Sequence, residues 1–214
     1  MKIYLYILII LLGQIYSNEI LFGDGSNWKY LDDGTDQKNS WYQVEFDDSN
    51  WHVGNAQFGY GDWDESTFIS FGSDYNDKHI TTYFRTTFNV EDPTLFRAIS
   101  IHLLRDDGAV VYLNGNEIIR DNMPAGMINY LTTASLDIEG ESEDIFYEFL
   151  IVNELKVGEN TLAVEVHQYL GTSPDFSFDL AVIGLETIDI EVTRGPYLQL
   201  STMESMLIRW RTNI

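Results

Sequence analysis

The chain has 214 residues, 12 Lys and Arg against 34 Asp and Glu, a formal charge of −22, no Cys and 14% aromatic residues. The missing thiols exclude disulfide scaffolds, zinc ribbons, thiol nucleophiles and iron–sulfur ligation. The charge argues against nucleic acid and anionic membrane surfaces, whose phosphates call for Lys and Arg, while 44% hydrophobic residues is too many for a disordered acidic chain.

The chain opens with Met1-Lys2, an unbroken apolar run from Ile3 to Leu12, and a polar exit from Gly13 to Ser17. One positive charge, about ten apolar residues and a small residue at the exit describe a secretory signal peptide over residues 1–17. A spanning helix needs about 20 apolar residues. The expected location is therefore extracellular or periplasmic, with no membrane contact after cleavage. Export without cysteine requires a sizeable core or a bound metal in place of disulfides.

The segment from Asp32 to Lys78 reads as loop-rich, aromatic and acidic, with Trp41, Trp51 and Trp63 in it. Beyond it, period-two alternation predicts half-buried strands. Thr82–Val90 places Phe84, Thr86, Phe88 and Val90 on one face and Tyr83, Arg85, Thr87 and Asn89 on the other. Ala98–Leu104 groups Ile99, Ile101 and Leu103. Asp107–Arg120 reads as a hairpin, because Asn114-Gly115 suits a turn whose two central residues both need φ > 0. Glu143–Ile151, Asn160–Tyr169 and Asp175–Ile183 supply further strands, with a short helix or wide turn expected over Asn153–Val157. Short strands separated by Gly/Asp/Asn loops predict an all-β fold, an antiparallel β-sandwich. After the acidic connector Glu186–Glu191, a new pattern begins at Thr193 and continues through a strand at Met206–Thr212. Two strands cannot close a sandwich, so residues 191–214 are expected to be the truncated start of a second domain.

Several stretches together carry a resemblance over residues 20–185: Trp28–Gly34, Phe46-Asp47-Asp48-Ser49-Asn50-Trp51, Phe58–Asp62, Ile80–Arg85, Leu104–Gly115, Asn122–Gly126 and Leu162–Gln168. They resemble a galactose-binding-like (jelly-roll) module of secreted, bacterial-type proteins, here taken as residues 18–190. Arg194-Gly195-Pro196-Tyr197-Leu198-Gln199 with Leu207–Thr212 resembles the start of the fibronectin-like (fibronectin III-like) N-terminal domain of purple acid phosphatases. That resemblance implies a downstream dimetal phosphatase domain in cis, whose own metal motifs do not occur here as a set.

Chemistry within the chain is sparse. The four His (His52, His79, His102, His167) show no metal-ligand spacing, and neither a dimetal centre nor a Gly-x-Ser-x-Gly nucleophile elbow is present in the sequence. No catalytic residue and no catalytic cofactor are expected. Structural calcium is expected instead in the first loop, on Asp24, Asp32, Asp33 and Asp36: Asp-rich turns with Gly offer hard oxygen ligands, and galactose-binding-like modules commonly hold such an ion. The alternative is that these Asp are turn formers. Glycan or cell-surface material is the expected partner if the module binds at all; the alternative is a purely structural spacer. Tyr60, Trp63, Tyr75 and His79 would offer flat faces, and Asp62, Asp64, Asn76 and Arg105 planar polar groups. Trp28, Trp41 and Trp51 are expected to be buried and Trp63 exposed. Asp106-Asp107-Gly108 reads as a tight turn into a strand, with Arg105 pairing one of its carboxylates. The expected role is an exported, non-catalytic accessory module; phosphate-ester hydrolysis by the full-length parent and adhesion to another protein are the rival readings.

Overall fold

The computed structural model describes residues 18–186, 192–201 and 206–212. The expected signal segment and the 187–191 connector lie outside the described residues. The first unit is a β-sandwich of two six-stranded sheets, antiparallel except for one parallel pair between its fourth and fifth strands. One sheet (sheet A) runs in the order β10 (Tyr147–Val152), β7 (Ala98–Asp106), β12 (Phe176–Leu185), β4 (Phe58–Tyr60) and β5 (Thr67–Phe68), with β1 (Glu19–Phe22) also paired to β12. The other (sheet B) runs β3 (His52–Asn55), β2 (Asn27–Leu31), β6 (Thr81–Val90), β11 (Gly158–His167), β8 (Gly108–Leu113) and β9 (Asn116–Asp121). From β6 onward the chain crosses between sheets at almost every step, and only the β8–β9 hairpin stays in one sheet. Central β12 lies between β7 and β4, and central β11 between β6 and β8. This is a jelly-roll order.

Alternation decides the faces. Ile99, Ile101 and Leu103 on β7, Phe176, Phe178, Leu180 and Val182 on β12, Phe84 and Phe88 on β6, and Leu162, Val164 and Val166 on β11 all turn between the sheets and are buried. Phe178 stands at the centre of this layer, its ring 4.2 Å from Phe84 and 5.2 Å from Trp28. Burying one such side chain stabilises the fold by roughly 1.5–3 kcal/mol. The β8–β9 turn has φ of 52° at Asn114 and 86° at Gly115, the left-handed pair that Asn-Gly tolerates. Asn114 also ties the turn to β11, where its Oδ1 accepts from the Thr161 amide at 3.1 Å.

Asp32–Lys78 is loop-rich, as expected, with the short β3, β4 and β5 inside it. Two expectations change here. Asn153–Val157 is neither helix nor simple turn. It is a corner pinned by Asn153, whose Nδ2 donates to the carbonyls of Pro93 and Phe96, each at 2.8 Å. Arg105 pairs with Asp121 on β9, not with Asp106 or Asp107; its Nε donates to Asp121 Oδ2 at 2.7 Å, joining the two sheets. By itself, β13 (Val192–Ser201) pairs antiparallel with β14 (Met206–Thr212), Leu198 opposite Ile208.

Candidate functional site: a cleft on the outer face of one sheet

Odd-numbered positions of β6 and β11 and even-numbered positions of β8 point away from the sandwich core. There Tyr83, Ala163, Val110 and Tyr112 meet Trp41 and Trp51 in a second apolar cluster, outside the space between the sheets. Trp41 and Trp51 are buried, as expected, but by loops and not by the sheet-to-sheet layer. The β2–β3 connection supplies one wall and the long segment after β9 the other. Between them opens a cleft of about 490 Å³ bordered by Trp41, Tyr42, Tyr83, Tyr112, Tyr130 and Glu165.

Both walls are fixed to the sheet. Arg85, 3% exposed, donates from Nη1 to the Trp41 carbonyl and from Nε to Asp48 Oδ2 at 2.8 Å. Lys29 Nζ donates to the other oxygen of Asp48 at 2.5 Å. Burial opposes ionisation of Asp48, but the hydrogen bonds from Lys29 and Arg85 outweigh it and hold its carboxyl below the usual range. On the opposite wall, Thr81 Oγ1 donates to the Tyr130 carbonyl at 2.9 Å and His167 Nδ1 to that of Thr132 at 2.7 Å. A carbonyl only accepts, so Nδ1 carries the ring hydrogen. Arg120 holds the rim: it forks onto Glu117 at 2.8 and 2.7 Å and donates to the carbonyls of Pro124 and Gly126.

The floor carries the chemistry. Glu165 is 4% exposed, accepts from Tyr112 Oη at 2.8 Å, and lies with its other oxygen 3.3 Å from His167 Nε2. The Tyr112 and Tyr83 phenols are both pushed well up, by burial first and by the Glu165 charge second, so they stay hydrogen-bond donors. Tyr42 stacks flat on Tyr112, with centroids 4.3 Å apart and an interplanar angle of 5°. The cleft therefore combines aromatic faces, phenolic donors and a carboxylate acceptor, as a ligand pocket requires.

The residues expected to bind glycan are brought together only in part: Asp62, Trp63 and Asp64 share one turn, and Lys78 Nζ lies over the Tyr60 and Tyr75 rings at 5.4 and 4.3 Å, but they form no single site. Asp62, Trp63, Asp64, Tyr75 and Asn76 are exposed, Trp63 at 88% and beside Phe68 at 6.5 Å. Tyr60 instead sits in the core and accepts from Gln168 Nε2 at 2.9 Å. His79 Nδ1 donates to the Asp32 carbonyl, 2.9 Å away, and the ring is lodged so tightly between two glycines that a Cβ on Gly34 or Gly72 would lie 2.6 or 2.7 Å from it. Arg105 is buried over the Tyr147 ring at 4.4 Å. Nor do the residues expected to hold calcium form a cluster. Asp32 Oδ2 accepts from the Ser70 amide at 2.6 Å, Asp33 from Thr35 and Asp36 from the Lys38 amide; Asp24 is exposed. The groupings of three acidic side chains among the described residues lie elsewhere, around Asp62. The cleft residues Tyr42, Tyr112 and Glu165 were not singled out by sequence. The available signal was Glu165, a charged residue in the middle of the apolar Leu162–Val166 run.

Asp106 and Asp107, at the β7–β8 junction, are buried. Asp107 accepts from the amides of Ile138 at 2.8 Å and Tyr169 at 2.6 Å. Asp106 is pushed up to about 9, by burial first and then by the charge of Asp107. Its folded affinity for a proton exceeds that of the unfolded chain, whose Asp titrates near about 3.9. Stability from this group is complete below about pH 4 and declines as pH climbs through 9. Asp106→Asn is therefore expected to match the parent at pH 4 and to exceed it increasingly at pH 6 and 8, as read by urea midpoints. A constant difference across that range contradicts the assignment.

No family model matches the chain, and no curated protein matches it. Solved structures do. A β-glucuronidase from an uncultured Clostridium species is 14% identical over 92% of this chain and 34% of that chain, with a TM-score of 0.51. A Ruminococcus gnavus β-glucuronidase is 14% identical over 92% and 34%, at 0.49, and a β-glucuronidase from glycoside hydrolase family 2 is 16% identical over 85% and 20%, at 0.49. This chain thus spans about a third of the length of the first of them. What it shares with that protein is the β-sandwich fold.

Proposed function

We propose that the chain is a non-catalytic, exported accessory module that binds glycan in the cleft above Glu165. The observation that carries this reading is the juxtaposition of the Tyr42–Tyr112 stack with the buried Glu165 carboxylate. A sugar ring presents C–H faces that pack on aromatic surfaces and hydroxyls that donate to a carboxylate. Asp36, Glu117 and Glu165 outnumber Lys38 and Arg120 around the cleft, so neutral or amino sugars that donate to the Glu165 carboxylate are favoured over uronates and phosphosugars. A fold shared with about a third of a larger β-glucuronidase is in keeping with a module that accompanies other domains. In the same reading a phosphoesterase domain follows in cis, as the resemblance of residues 194–199 and 207–212 implies. The coding sequence downstream of Ile214 tests that part: it should continue into Gly-Asp-x-Gly and Asn-His-Glu/Asp motifs.

A glycan array followed by calorimetry tests the binding. Neutral or amino-sugar glycans should bind; Glu165→Gln should weaken the best of them at least about tenfold, the loss of one hydrogen bond to a charged group, and Tyr42→Ala should weaken it by removing an aromatic face. Trp63→Ala should leave it unchanged. A second reading, favoured by the 88% exposure of Trp63 next to Phe68, puts the sugar on that loop, and it predicts the reverse pattern. A flat array contradicts both. Metal-dependent hydrolysis of p-nitrophenyl phosphate by the purified chain would contradict the non-catalytic assignment.

A further inference from the structure

Between β4 and β5 the chain turns through Gly61–Ser66, and this turn gathers Asp62, Asp64 and Glu65, whose ligand oxygens lie within 4.8 Å of one another. Asp62 also belongs to a second such group with Glu143 and Asp175. None of these five carboxylates takes part in a salt bridge among the described residues. Acidity alone is unremarkable in this chain, but Glu65 differs from its neighbours. It is 8% exposed; one oxygen accepts from the Asp62 amide at 3.1 Å, and the other, Oε2, is buried with no hydrogen-bond partner among the described residues. A buried carboxylate oxygen with neither donor nor counter-charge is strongly disfavoured.

We propose that Asp62, Asp64 and Glu65 form a Ca²⁺ site at this turn, with Glu65 Oε2 as its buried ligand. The donors are all oxygen, without His or Cys, which suits a hard cation and excludes preference for zinc or copper. Calcium–oxygen distances of about 2.3–2.6 Å put two ligands of one ion no more than roughly 5 Å apart, the spacing this group has. Backbone carbonyls and water complete the six to eight ligands that Ca²⁺ takes in irregular geometry; Mg²⁺ demands a near-ideal octahedron. Asp175 and Glu143, grouped with Asp62, add negative potential close by. Trp63, between two ligands, would be held in its exposed position. The site is independent of the glycan cleft, and it is distinct from the Asp24–Asp36 loop.

Calorimetry on the chelator-treated full chain with CaCl2 tests this. One site is expected, with a matching rise in melting temperature by mass action and a change in tryptophan emission that disappears in Trp63→Phe. Glu65→Gln, and separately Asp62→Asn at an exposed position, should each weaken Ca²⁺ at least tenfold, while Asp33→Asn leaves it unchanged. The proposal is overturned by the absence of heat and of a thermal shift at millimolar Ca²⁺, by parental affinity in both variants, or by MgCl2 acting as strongly as CaCl2.

Discussion

Phe178→Ala should lower the stability of the sandwich by about 3–5 kcal/mol, the range for deleting a buried aromatic ring from a core. Phe178 is fully buried on central strand β12 and touches both layers: Phe84 and Trp28 come from sheet B, while Phe58 lies beside it in sheet A at 6.4 Å. Truncation removes contacts with three rings at once, and the surrounding strands are hydrogen-bonded on both edges and cannot collapse into the gap. For a domain of this size the loss corresponds to a fall of roughly 6–20 °C in melting temperature. Val152→Ala is the control. It is on a strand of the same sheet but 79% exposed, so its effect should stay within about 0.5 kcal/mol. Urea unfolding of the two variants checks the pair; a Phe178→Ala loss below about 1 kcal/mol contradicts the assigned core.

Arg85→Ala is expected to cost about 3 kcal/mol and to loosen one wall of the cleft. Removing one partner of a buried pair leaves the other charge poorly compensated, typically at about 3–5 kcal/mol. The lower end applies because Lys29 stays on Asp48, and Asp48 retains 19% side-chain exposure. The Trp41 carbonyl also loses its donor, and Phe46 loses the guanidinium 5.4 Å above its ring. Because the folded Asp48 carboxyl lies below its ordinary value, its contribution is present above about pH 4 and is lost as pH falls through the folded value. Arg85→Ala should therefore flatten the acid limb of the stability profile, a readout that loss of packing alone would not move. Hydrogen exchange should speed up in the Lys38–Asp48 wall, with little change in β12. Unchanged acid dependence contradicts the role given to this pair.

The contrast between these two sites shows what the sequence makes legible. Phe178 belongs to a run, Phe176-Ser177-Phe178-Asp179-Leu180, whose alternation is imposed by a two-sided sheet, so strand and buried face can both be read directly. The same holds for β6, β7, β8 and β11. Strands β1, β3, β4 and β5 are two to four residues long, too short for alternation to register, and their pairing depends on contacts distant in sequence. The cleft is less legible still. Tyr42, Tyr83, Tyr112, Tyr130 and Glu165 come from five separate segments, each unexceptional locally, and meet only because β11 is inserted between β6 and β8. Tyr60 and Arg105 are buried for a related reason. Residue type fixes what a side chain is able to do, but neighbours remote in sequence, Gln168 and Asp121 among them, hold these two inward. Trp63 was legible because flanking aspartates leave a large ring little apolar surface to pack against.

The most direct test of glycan binding in the cleft is chemical-shift mapping of the ¹⁵N-labelled chain with the best neutral or amino-sugar glycan. The account predicts that the largest perturbations fall on Tyr42, Tyr83, Tyr112, Tyr130 and Glu165, while residues 62–68 stay in place. Perturbations centred on Trp63 and Phe68, or none at saturating glycan, would contradict it.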